Sequence, residues 1–257
     1  MTAYFVSDLH LVNIEHERSQ IFLRFLQRLK VEKECTHLFL LGDIFDLWVG
    51  NRSYFVHSFA PIVEALKHLQ AEGIEIHYFE GNHDLHLQKF WQDQVGCKVH
   101  GEAYYLTLAG WRLRLEHGDQ MDPSDRGYLF LRWLLRTPII TWLAYHCPGW
   151  ILAKIGEGAS QQSRRYTSGP SKSQSDELAK EKMKVHACRV YNEKPFDVLI
   201  AGHMHVAEDR EVKFSKGQFR LINLGSWMES PRALLLVVHA SNSGKESQGF
   251  FQWVVCS

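Results

Sequence analysis

Along the first third of the chain, short apolar runs alternate with stretches whose apolar residues recur every three or four positions. Ala3 to Ser7 reads as a strand. Glu17 to Lys30 reads as a helix, with Ile21, Phe22, Phe25, Leu26 and Leu29 on one face. Thr36 to Leu41 is a second strand. Ala60 to Glu72 is a second helix, with Pro61 in its first turn and Gly73 just past its end. Ile74 to Phe79 is a third strand. Strand and helix in strict alternation predict a parallel α/β layer.

The rhythm then changes. Tyr104 to Leu108 and Trp111 to Glu116 flank Ala109-Gly110 and read as a hairpin. Between Arg126 and Asn192 the pattern offers no strand. It offers apolar helical pieces, Tyr128 to Arg136 and Ile139 to Ile155, and a Ser-biased polar stretch, Ser160 to Ser175, that suits a mobile loop. Strands resume at Asp197 to Ala201, Glu211 to Phe214, Phe219 to Leu224, Ala233 to Val238 and Phe250 to Val255. The expectation is one domain over residues 1–257, with a helical cap inserted at 126–192.

Composition narrows this only slightly. Hydrophobic residues make up 45% and charged residues 23% of 257, as in ordinary globular proteins. Lys plus Arg and Asp plus Glu are both 29, so net charge argues for no nucleic-acid partner. Five cysteines, none at CxxC spacing, argue against a thiolate zinc site and for a reducing compartment. No basic and apolar leader opens the sequence. The longest uncharged stretch, Thr137 to Ala153, contains two prolines and is too short to span a membrane. A cytoplasmic protein is expected.

Chemistry concentrates in five blocks, each after an apolar run: Asp8-Leu9-His10, Gly42-Asp43-Ile44-Phe45-Asp46, Gly81-Asn82-His83-Asp84, His117-Gly118-Asp119 and Gly202-His203-Met204-His205. Sites in α/β sheets form at the carboxyl ends of strands, so five such clusters can converge. Carboxylates, imidazoles and an amide oxygen are nitrogen and oxygen ligands for manganese, iron, zinc or magnesium. Two ions close together need a bridging carboxylate and open positions for water and substrate. One histidine after a strand is usually structural, whereas a full set in order is not explained by packing. His86 follows the third block closely and is a further candidate for proximity.

In their order and spacing these blocks resemble the calcineurin-like metallophosphoesterase superfamily, whose pattern is DxH, GDxxD, GNHD, GH and GHxH. The resemblance implies a four-layer α/β/β/α sandwich. It implies two divalent ions, manganese first, with Asp8, His10 and His205 on one, Asn82, His117 and His203 on the other, and Asp43 bridging. It implies that His83 faces the phosphoryl group, that Asp84 orients His83, and that Asp46 and Asp119 support the ligands. The reaction implied is in-line attack of an activated water on phosphorus.

Within the superfamily, SDLHL, LGDIFDLWVG, the segment from HGD to Tyr128 and the apolar and basic insertion are similar to the UDP-2,3-diacylglucosamine hydrolases of lipid A biosynthesis. That resemblance implies cleavage of a pyrophosphate to UMP and an acylated sugar 1-phosphate, and peripheral contact with the inner membrane. It implies Asp125 at the sugar and Arg164, Arg165 and Lys172 at phosphates. Those enzymes carry Arg where this chain has His83. The rival readings are a phosphodiesterase or pyrophosphatase on another lipid or nucleotide-sugar substrate, and an inactive binding scaffold.

Overall fold

The computed structural model describes residues 1–32, 34–152, 172–238 and 248–257. Strand β1 (Thr2–Val6) lies parallel to β2 (Cys35–Leu40) and antiparallel to β12 (Arg232–Val237). With β4 (Glu75–Phe79), β6 (Lys98–His100) and β13 (Phe250–Val255) they form a six-stranded sheet in the order β13-β12-β1-β2-β4-β6. A second sheet runs β10-β11-β9-β8-β7, from β7 (Tyr104–Leu108), β8 (Trp111–Leu115), β9 (Val198–Ala201), β10 (Glu208–Phe214) and β11 (Gly217–Asn223).

Alternation along the strands builds the layers. Ala3 and Phe5 face the second sheet and join Phe39, Phe79, Leu113, Leu115, Val198 and Ile200 in a core between the sheets. Tyr4 and Val6 face the other way, toward α1 (Glu17–Val31) and α3 (Ala60–Ala71). Phe22, Leu26 and Leu29 of α1 are wholly or almost wholly buried there, each contributing about 1.5–3 kcal/mol of burial free energy. On the outer face of the second sheet, Met183, Ala187 and Val190 of α6 (Lys172–Glu193) pack on Phe196, Leu199 and Phe219. The result is the expected α/β/β/α sandwich.

The strands and helices expected between residues 1 and 79 all form, within about two residues of their expected ends. Pro61 stands in the first turn of α3, and Gly73, at φ 88°, follows its end. Four features were not foreseen here: a short helix α2 (Ser53–Ser58), a two-stranded ribbon pairing β3 (Trp48–Val49) with β5 (Asp84–Leu85), a π-helical turn over Gln88–Val95, and the edge strand β6. The expected helix Ile139 to Ile155 is a shorter one, α5 (Pro138–His146), preceded by α4 (Arg126–Leu135). Pro148, which cannot donate a backbone hydrogen bond, follows the end of α5, and residues 149–152 are helical again. Most of the Ser-biased stretch lies outside the described residues. Its last residues open α6, a helix the polar pattern had concealed.

Candidate metal centre

Strands β1, β2 and β4 are adjacent and parallel, as are β8 and β9. Their carboxyl ends bring the five blocks together. Asp8 Oδ1 lies 3.3 Å from His205 Nε2, which lies 3.1 Å from His10 Nε2. Beside them, Asn82 Oδ1 is 3.0 Å from His203 Nδ1 and 3.3 Å from His117 Nε2, and the two imidazole nitrogens are 3.2 Å apart. Asp43 Oδ2 stands between the groups, 3.9 Å from His10 Nε2 and 3.6 Å from His117 Nε2. Donors held at about 2.0–2.2 Å around one ion sit about 3 Å apart, so both groups could hold a cation.

The backbone is bent to achieve this. Seven non-glycine residues among those described have positive φ, and five are expected ligands: Asp8 (54°), His10 (46°), Asp43 (53°), His203 (67°) and His205 (56°). That region is uncommon for residues with a Cβ, and strain of this kind gathers at functional sites. Glycines fit the tight packing beneath. A Cβ on Gly42 would collide with the His117 ring, and one on Gly81 with the Asp43 carboxylate.

Several ligands are aimed from behind. His117 Nδ1 donates to the Leu41 carbonyl oxygen at 2.8 Å, which leaves Nε2 bare. The Asp8 carboxylate accepts the His203 N–H at 2.9 and 3.1 Å. Asn223 Nδ2 donates to the Gly202 carbonyl oxygen at 2.6 Å. Asp46 lies 4.0 Å behind His10 Nδ1, and Asp119 accepts from Tyr128 Oη (2.9 Å) and Arg132 Nε (2.7 Å).

Burial pushes His10 and His203 down to about 4, toward the neutral imidazole that binds metals. Burial also works against charge on His117, yet Asp43, Asp8 and Asp119 outweigh it and raise that group to about 9. Burial likewise opposes ionisation of Asp8 and Asp43, and the surrounding imidazoles hold both below the usual carboxylate range. Two buried carboxylates therefore draw positive charge into the centre, the charge a divalent cation brings. The donor set fits the group.

Asp84 corrects one expectation. Its carboxylate accepts from Gly81 N (2.8 Å), Asp43 N (2.9 Å), Ile44 N (2.8 Å) and Tyr78 Oη (2.8 Å). It ties down the loop carrying Asp43 rather than orienting His83. Burial and the nearby Asp43 charge raise it to about 6. The His83 ring is set by its Nδ1–H, which donates to the Asp46 carbonyl oxygen at 2.8 Å. Asp125 Oδ1 caps α4 by accepting from Tyr128 N at 2.9 Å, which fixes this exposed carboxylate at the start of the helix. Arg164 and Arg165 lie outside the described residues, as does the Lys172 side chain, whose backbone opens α6.

The sequence reading missed what α4 does. Tyr128 packs its ring 5.9 Å from that of His203, and Arg132, one turn on, reaches Asp119, the Gly101 carbonyl oxygen and Glu102. A Tyr and an Arg at i, i+4 on an apolar helix were the available signal. Beside His117 lies a cleft of about 180 Å³, floored by a buried chain of Arg114, Glu116 and His186.

The profile of the family described as calcineurin-like phosphoesterase matches residues 1–207. The chain belongs to that family. As a calcineurin-like phosphoesterase it is a metal-dependent phosphoester hydrolase, acting on a phosphorylated substrate. It is 29% identical to a UDP-2,3-diacylglucosamine hydrolase of Tolumonas auensis, over 88% of this chain and 89% of the relative. It is 30% identical to one of Ectopseudomonas mendocina, over 86% and 88%. Among solved structures, an archaeal phosphodiesterase covers 99% of both chains at 13% identity and a TM-score of 0.48. No helix among the described residues is long and apolar enough to cross a membrane.

Proposed function

We propose that this phosphoesterase hydrolyses the pyrophosphate of UDP-2,3-diacylglucosamine to UMP and the acylated sugar 1-phosphate, using two divalent ions, manganese first. The observation that carries the reading is a pair of donor groups sharing Asp43, in a chain whose relatives bear that hydrolase name over nearly nine-tenths of its length. Asp8, His10 and His205 would hold one ion, Asn82, His117 and His203 the other, with Asp43 available to both. Bound there, the ions would polarise the phosphoryl oxygens and lower the pKa of a water. His83, with its Nδ1–H engaged by the Asp46 carbonyl oxygen, turns Nε2 to the phosphoryl group or the leaving oxygen.

Helices α4 and α5 act as a cap within a single domain, and α6, which follows them in the inserted segment, forms the outer layer on the second sheet. Phe130, Trp133, Ile139, Trp142 and Trp150 are each more than half exposed on the cap, Ile139 at 73%. Apolar side chains rich in Trp suit acyl chains and the surface of a bilayer, and support peripheral contact with the membrane. A second reading, cleavage of another lipid or nucleotide-sugar phosphoester, is favoured by His83, where the lipid A enzymes carry Arg.

The test is UMP release from UDP-2,3-diacylglucosamine by purified protein with manganese, beside a chelator control. Metal-dependent release is expected. Cleavage of bis(p-nitrophenyl) phosphate without UMP release would keep the hydrolase and discard the substrate.

A further inference from the structure

Six of the seven non-glycine residues with positive φ have a place already: five expected ligands, and Ala109 in the β7–β8 turn. The seventh is His86, at φ 57° and 8% exposed. It ends the β3–β5 ribbon, three residues after His83. In that ribbon Trp48 N donates to the His83 carbonyl oxygen at 2.9 Å and Gly50 N to that of Leu85 at 3.0 Å. The position of His83 is thus tied to how the ribbon lies.

The connecting helices hold His86 from two sides. Its Nε2 donates to the Leu135 carbonyl oxygen at 3.1 Å, an acceptor at the end of α4 that has no partner within the helix. Its own carbonyl oxygen accepts from Tyr145 Oη of α5 at 3.1 Å. The Tyr145 ring lies over the ribbon so closely that a Cβ on Gly50 would meet it at 2.9 Å, and Lys89 Nζ sits 4.2 Å from the ring centroid. Arg52 Nε adds a bond to the Ala144 carbonyl oxygen at 3.1 Å. Ordinary helix docking would bury apolar side chains. Here α4 instead engages the ring, and α5 the carbonyl oxygen, of one strained residue by hydrogen bonds.

We propose that His86 and Tyr145 are positioning residues for His83, a latch through which α4 and α5 set the ribbon that carries it. The inference rests on the reading of His83 as the group that faces the phosphoryl. A ring displaced by a fraction of an ångström loses alignment in the transition state more than it loses substrate, so the latch acts on kcat rather than KM. The left-handed backbone at His86 aims its ring nitrogen and carbonyl oxygen at two different helices, which rationalises the strain.

The experiment compares full-length, manganese-loaded His86→Ala, His86→Gln, Tyr145→Phe and His83→Ala on bis(p-nitrophenyl) phosphate, with manganese content, melting temperature and amide exchange measured beside kcat and KM. His86→Ala lowers kcat about tenfold, with KM and manganese content unchanged. Gln, whose amide reaches the Leu135 carbonyl oxygen, restores kcat to within about threefold, and Tyr145→Phe lowers it about threefold. Exchange at the Trp48 and Gly50 amides rises in His86→Ala. A kcat within about twofold of wild type in both His86→Ala and Tyr145→Phe overturns the latch. So does equal loss in the Ala and Gln variants in step with melting temperature, which marks a purely structural role. Should His86→Ala fail to fold, Tyr145→Phe decides alone. Undiminished kcat in His83→Ala removes the reading of His83 and the latch with it, whereas loss there and none at His86 removes the latch only.

Discussion

The strand-end loops and the connecting helices α4 and α5 are built on opposite principles. In the loops, Asp8 and Asp84 are completely buried, five expected ligands adopt strained backbone, and the Asp84 carboxylate accepts four hydrogen bonds. In α4 and α5, only Ala144 is buried, while Phe130, Trp133, Ile139 and Trp142 face outward. One region sacrifices local stability for fixed geometry. The other leaves apolar area open that folding did not need. Substitutions in the first should therefore act on turnover, and those on the exposed apolar face of the second on how a large apolar substrate is met.

The sharpest test of the loops is Asp43. Its carboxylate faces both donor groups and also accepts the His83 N–H at 2.9 Å. Asp43→Ala should lower kcat/KM on an aryl phosphodiester by about 10³-fold or more, since several kcal/mol of transition-state stabilisation depend on the metals it holds. Retained activity would show that Asp43 does not hold the catalytic metals. Gly81→Ala should follow, with a loss of about 100-fold, because the new Cβ drives the Asp43 carboxylate aside and small misplacements are costly. Arg132→Ala should cost about 10–100-fold, as it strips a partner from Asp119 behind His117, and manganese titration should show weakened binding.

The second region breaks the comparison if it behaves like the first. Trp133→Ser with Trp142→Ser should leave kcat on bis(p-nitrophenyl) phosphate unchanged. The same change should raise KM for a diacylated substrate about tenfold, as two exposed aromatic side chains lose their apolar contacts. Equal loss on both substrates would mean that the patch supports the fold.

This contrast also explains what the sequence made legible. The five blocks could be read because each follows an apolar strand, and topology alone brings parallel strand ends together. The nearest-neighbour geometry of Asp43 followed from that order. Asp84 was misassigned because adjacency to His83 along the chain says nothing of direction. In a strand, neighbouring side chains point to opposite faces, and β5 begins at Asp84. The β3–β5 ribbon, two residues per strand, is too short for any period to register. Helix α6 was concealed because its buried stripe, Met183, Ala187 and Val190, is thin and flanked by Lys and Glu. Tyr128 and Arg132 act through Asp119, and nothing in their own segment names that partner.

The smallest effect expected lies where α6 meets the catalytic loop. Lys182 Nζ sits 2.5 Å from Asp122 Oδ2, both partly exposed. The Lys182 ammonium and the Ser124 hydroxyl lower the Asp122 carboxyl to about 2. A carboxyl lowered on folding contributes stability that is present above its unfolded value of about 3.9 and is lost as pH falls through the folded one. Screening by solvent limits an exposed pair to about 1 kcal/mol at most. Lys182→Met should therefore lower the melting temperature at pH 7 by no more than about 2–4 °C. The difference from wild type in urea unfolding should shrink between pH 5 and pH 3, and shrink likewise in 1 M salt. A gap that persists at low pH would assign the loss to packing of the lysine stem on α6 instead. The loop and the helix would then be joined by apolar contact, as in the second region, and not by the charge that organises the first.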